Sequence, residues 1–163
     1  MRVKESALLL SLLLCGGCVV MGPRTDLAAV KNDVQMFARS VADGVTKDGP
    51  KAWQNYFENS PTFFMAVDGR MEFQDGAAVQ AAMPKLTQAI KKIELKWGEP
   101  LRVDALTEDL AIMAAPWHEL VTLADGKALD NSGYFTALIE KHDGHWQFRN
   151  AHWSTTPSQA PAR

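Results

Sequence analysis

Gly133-Tyr-Phe-Thr-Ala-Leu-Ile-Glu-Lys-His-Asp-Gly-His-Trp-Gln-Phe-Arg-Asn-Ala-His-Trp-Ser154 decides how this chain is read. Two runs of strand-forming residues flank Asp143-Gly144, a pair suited to the two-residue type I′ turn, which needs positive φ at both positions. With that pair as the loop, His142 faces His145. Counting back, Ile139 faces Phe148, Ala137 faces Asn150 and Phe135 faces His152. Strand side chains alternate, so Trp146 and Ser154 join this face. The other face takes Glu140 with Gln147, Leu138 with Arg149, and Tyr134 with Trp153. The first face starts apolar and turns polar at Asn150, His152 and Ser154. Such a gradient is expected where a sheet curls over a core and opens into a pocket.

The pairing extends upstream through Asp125-Gly126, read as another two-residue turn. It sets Trp117 against Tyr134 and His118 against Gly133. His118 then joins His152 on the pocket side, and Trp117, Tyr134 and Trp153 form an aromatic row on the outer side. An exposed aromatic row calls for a partner surface, here a homodimer interface. A bulge at Pro116 would exchange Trp117 and His118, so which of the two faces the pocket stays open.

Before these strands the periodicity is helical. Leu27, Val30, Val34, Phe37 and Val41 recur at spacings of three and four, with Thr25 or Asp26 as cap and Gly44 at the expected end. Gly49-Pro50 begins a second helix with Trp53, Tyr56 and Phe57 on one side, and Ser60-Pro61 stops it. Residues 62–67 and 70–73 form a hairpin around Asp68-Gly69. Asp75 caps a third helix bearing Val79, Met83, Leu86 and Ile90, which Pro84 is expected to kink or split. From Lys92 on, every segment reads as strand. Gly98 and Pro100 mark a bulge, Leu110 to Leu123 is one long strand, and the opening hairpin follows. The order is helix, helix, hairpin, helix and four meandering strands, an α+β layout with one sheet wrapped around three helices.

The chain has 163 residues, room for one domain with a real core. Lys and Arg total 17 against 19 Asp and Glu, so there is no electrostatic footprint for nucleic acid. The first stretch has a basic start, a short apolar run and small residues before Cys18, the make-up of an export signal. Gly16-Gly17-Cys18 resembles the end of a bacterial lipobox, in which the cysteine becomes lipid-modified; Cys15 stands where that motif usually has Leu. The resemblance implies an outer-membrane lipoprotein facing the periplasm, with plain secretion and a retained anchor as alternatives. The expected division is signal 1–17, tether 18–24, domain 25–155 and disordered tail 156–163. Cutting before Cys18 removes Arg2, Lys4 and Glu5, which leaves 15 positive and 18 negative residues, a net charge of −3. One cysteine remains, so there is no internal disulfide.

Gly133-Tyr-Phe-Thr, Asp143-Gly-His-Trp-Gln-Phe and His152-Trp-Ser154, in this element order, resemble the SnoaL-like and ketosteroid-isomerase-like group of the nuclear-transport-factor-2-like superfamily. The resemblance covers roughly Thr25 to Thr155. It implies a cone-shaped α+β domain, a pocket between the curled sheet and the first helices, and a dimer formed through the sheet's outer face. It does not fix an activity, since relatives include isomerases, dehydratases and binding modules. The isomerase's general base would fall near Met65 or Phe64, neither of which takes a proton. Its helix-one tyrosine has no counterpart here. Ketosteroid isomerisation is therefore not expected.

The expected function is binding of a small, largely apolar molecule without chemistry. Trp53, Tyr56, Met65 and Phe148 would form the walls, and His118, Asn150, His152 and Ser154 a polar rim. One alternative is an isomerase- or dehydratase-like enzyme with His152 as acid or base. Another is a non-catalytic envelope interaction module. No carboxylate or cysteine completes a metal site around His118 and His152 at recognisable spacing, so no metal or other cofactor is expected.

Overall fold

The computed structural model describes residues 26–157. The expected signal, the lipidation site Cys18, the tether and residues 158–163 of the tail lie outside them. The first helix, α1 (Leu27–Asp48), buries Val30, Val34, Ala38, Val41 and Val45. Asp26 caps it by accepting from the amides of Ala28 and Ala29 at 3.0 and 3.2 Å, a contribution of about 1 kcal/mol. The helix runs past Gly44 to Asp48, because nothing after Gly44 breaks the periodicity. The expected second helix forms as a tighter 3₁₀ segment, Gly49–Asn55. The third, α2 (Gly76–Ala89), is continuous through Pro84 rather than split. Pro84 is exposed, so water can solvate the carbonyl left without its amide partner.

Among the described residues, seven strands build one curved sheet. They are β1 (Phe64–Val67), β2 (Arg70–Phe73), β3 (Ile90–Trp97), β4 (Arg102–Ala105), β5 (Leu110–Leu123), β6 (Ala128–His142) and β7 (His145–Thr155). The order is β2-β1-β7-β6-β5-β3, with β4 also on β5. Every pair is antiparallel except β1 with β7. The stretch read as one bulged strand after Lys92 is thus two strands on one edge of β5, and Gly98 donates to the Pro116 carbonyl between them at 2.8 Å.

Two one-residue corrections decide what faces inward. Asp143 and Gly144 do form the two-residue turn, with φ of 50° and 80°, and His142 pairs with His145. Ile139 pairs with Phe148, but the ladder then slips, and Leu138 pairs with Asn150. Arg149 is the extra residue of a β-bulge, which hands every later β7 side chain to the opposite face. Phe135 therefore meets Trp153, and His152 meets Thr136. Upstream, the Leu123 amide donates to the Lys127 carbonyl, and Gly126 has a φ of 88°. That loop has three residues, Ala124 to Gly126, not two. Trp117 consequently pairs with Gly133, and His118 with Ser132.

The concave face so defined carries Met113, Ala115 and Trp117 of β5, Phe135 and Ile139 of β6, and Phe148 and Trp153 of β7, all buried. Each of the larger side chains contributes about 1.5–3 kcal/mol by leaving water.

Candidate functional site

Along β5 the inward residues alternate as Trp117, Glu119 and Val121, and Glu119 is the one acid among them. The concave sheet does not fill completely under this end of β5. A cavity of about 340 Å³ lies between the 3₁₀ segment, the β1–β2 hairpin, α2 and the ends of β3, β5 and β7. Trp53, Met65, Phe73, Met83, Ile93 and Trp153 supply most of its apolar wall. Trp53 stacks flat on Phe57 at 5.1 Å and meets Trp153 edge-on at 5.9 Å, so one wall is a rigid aromatic corner. Among the described residues that line it, only Glu119 and Glu72 are charged types, and Glu72 is exposed at the cavity's edge.

Burial pushes the Glu119 carboxyl from its ordinary 4.5 up to about 7. Desolvation is the sole cause, with no neighbouring charge and no hydrogen bond contributing. A carboxyl balanced near neutral pH inside an apolar cavity can donate a hydrogen bond, accept one, or pair with a cation.

No family model matches the chain, and no curated protein matches it by sequence. Solved structures do match in shape. A nuclear transport factor 2-like superfamily protein from Salmonella enterica serovar Typhimurium superimposes with a TM-score of 0.61 at 14% identity, covering 84% of this chain and 95% of the other. A putative scytalone dehydratase from Novosphingobium aromaticivorans gives 0.67 at 12% identity, over 85% and 93%. A hexachlorocyclohexane dehydrochlorinase gives 0.63 at 14% identity, over 79% and 86%. The chain has the nuclear-transport-factor-2-like fold. Structures sharing that fold include enzymes and proteins of unknown function, so the fold permits either.

Within this nuclear-transport-factor-2-like cone, Trp53 and Met65 line the cavity. Met65 and Val67 are the cavity-facing residues of β1, while Phe64 is 42% exposed. The other residues expected in the pocket lie elsewhere. His152 is exposed on the outer face, and Asn150 and Ser154 share that face, because the Arg149 bulge turns them outward. Ser154 donates to the Tyr134 carbonyl at 3.1 Å. His118 also points outward, 2.7 Å from Asp130, because of the three-residue loop. Phe148 is fully buried among Phe37, Phe57 and Phe135, away from the cavity. Tyr56 packs on α1, where Gly44 leaves room for its ring, and donates to the Ser40 carbonyl at 2.9 Å. Burial and the nearby Asp48 and Asp43 raise the pKa of its phenol.

The expected outer aromatic row is likewise overturned. Trp117 and Trp153 are buried and in contact, 4.5 Å between ring centres, and only Tyr134 remains outside. The outer apolar residues are instead Ile112, paired with Leu138, and Pro116, paired with Tyr134.

Glu119 was missed because its face depended on the loop at Gly126. The usable signal was a lone acid alternating with Trp117 and Val121 on an otherwise apolar strand face.

A larger groove of about 780 Å³ opens between α1 and the β6–β7 turn, lined by Phe37, Tyr56, His142 and Trp146 among others. Beside it Glu58, Glu140 and His142 bring ligand-type atoms within 4.8 Å of one another. Glu140 and His142 lie two apart on β6, and Glu58 comes from a distant segment that no spacing could bring to them. Arg149 donates to Glu140 at 2.5 Å, and His142 lies 3.5 and 3.6 Å from Glu58 and Glu140. The cluster is built on the Arg149–Glu140 ion pair at the sheet's end.

Proposed function

We propose that this domain binds a small, largely apolar molecule in the cavity beneath β5, with Glu119 as the polar group that orients it. The observation that carries this reading is the position of Glu119, inside an apolar cavity and, among the described residues, without a partner for its carboxyl. Placing a carboxyl there costs free energy, and a ligand can return part of it by forming the missing hydrogen bond. The cavity is of ligand size: an engineered void of ~150 Å³ already admits benzene, so about 340 Å³ holds a ring with a short chain.

A second reading makes Glu119 an acid–base catalyst. It rests on the raised pKa in a cleft. It replaces the His152 alternative, because His152 lies on the outer face.

The full chain, in this proposal, is exported and lipidated at Cys18. It dimerises through Ile112, Pro116, Tyr134 and Leu138 rather than through Trp117 and Trp153. Lipidation is checked by palmitate incorporation in wild type and Cys18→Ser, and dimerisation by sedimentation of Ile112→Arg.

Calorimetric titration with phenethyl alcohol tests the cavity itself. Wild type is expected to bind, and Met83→Trp, which fills the void, is expected to fold and not bind. Equal binding by both would refute the site.

A further inference from the structure

The cavity's charged side chains have one sign. Glu119 and Glu72 are acids, and among the described residues no Lys, Arg or His lines the space. Trp53 and Trp153 add indole rings, the aromatic side chains that attract cations best. A ligand with a carboxylate or phosphate would meet two acids and no cationic partner. A neutral ligand would gain nothing from Glu72 or from the electrostatics of the indoles.

We propose that the occupant is an amine, a molecule with an apolar body the size of one ring and a basic nitrogen whose ammonium group pairs with Glu119. The assignment rests on the ligand-binding reading above and gives it a chemical class. The apolar body fills the corner made by Trp53, Met83 and Ile93. The ammonium donates to the Glu119 carboxylate, a charge-assisted contact that supplies the partner the protein withholds. Glu72, at the cavity's edge, draws a cation toward the opening. Pairing favours the ionised carboxyl, so Glu119 gives up its proton to solvent as the ammonium binds.

The test is calorimetry on the purified domain with three probes of matched body, phenethylamine, phenethyl alcohol and hydrocinnamate. Phenethylamine is expected to bind about tenfold or more tighter than the alcohol, with hydrocinnamate weakest. Glu119→Gln, which keeps the side chain's shape, is expected to erase the preference for amine over alcohol. Equal affinities of amine and alcohol for wild type would overturn the amine assignment and leave the apolar cavity standing. Failure of all three to bind would overturn both. The ranking on wild type decides the matter even if the variant does not fold.

Discussion

Gly133 lies opposite Trp117 in the β5–β6 ladder, and the Trp117 ring passes over the place where a side chain at 133 would stand. A Cβ there would sit 2.9 Å from the Trp117 ring and 1.8 Å from the Ser154 carbonyl oxygen. This close approach lets Trp117 turn inward against Trp153, so that Glu119, two residues on, faces the cavity. Gly133→Ala is therefore expected to cost roughly 2–3 kcal/mol in urea unfolding, through overpacking against backbone that cannot move aside. A loss below about 0.5 kcal/mol would mean that this contact is looser than described.

Glu119 sets a pH dependence of stability. The unfolded chain ionises this carboxyl near 4.5 and the folded chain near 7. Between those values the folded state holds the extra proton, so stability falls as pH rises through the window and the penalty is complete above about 7. Among the described residues, Glu72 is the only other ionisable side chain lining the cavity. Glu119→Gln removes the penalty. It is expected to melt near wild type at about pH 4.5 and above it at about pH 8, by on the order of 2 kcal/mol. A gap independent of pH would place the carboxyl in water.

Asp68 ties the β1–β2 turn to the end of β7. Its carboxylate accepts from the Thr155 amide at 2.6 Å and the Thr155 hydroxyl at 3.0 Å, and the residue itself has a φ of 47°. Asp68→Ala loses both contacts and the polar side chain that tolerates that backbone, a cost of about 1–3 kcal/mol. Because the hairpin carries Met65 and Phe73 of the cavity wall, hydrogen exchange is expected to quicken across residues 64–73. Unchanged protection there would contradict the tie.

His152 provides the contrast. It stands exposed on the outer face, so His152→Ala is expected to change stability by less than about 0.5 kcal/mol and to leave calorimetric ligand affinity unchanged.

Much of the architecture was legible because its signals are local. Asp143-Gly144 and Asp68-Gly69 demand positive φ, and both form the expected turns. The α1 stripe from Val30 to Val41 follows from spacing alone, although Leu27 at its start is exposed, and the extent of β5 follows likewise. The site was less legible, because a strand's faces exchange with every added residue. The third loop residue at Ala124–Gly126 and the bulge at Arg149 each add one. Between them they moved His118, Asn150, His152 and Ser154 outward and brought Trp117, Glu119 and Trp153 inward. Neither carries a local marker as strong as Asp-Gly in a two-residue loop. The retreat of Tyr56 from the cavity depends on Gly44, twelve residues upstream, and no periodicity reports such a pairing.

The most direct measurement is methyl-resolved NMR of the domain titrated with phenethylamine. Resonances of Met65, Met83, Ile93 and Val121 are expected to shift together and saturate, while those of Ile112 and Leu138 on the outer face stay still. Shifts confined to the outer face, or to Met36 at the α1 groove, would contradict a ligand site beneath β5.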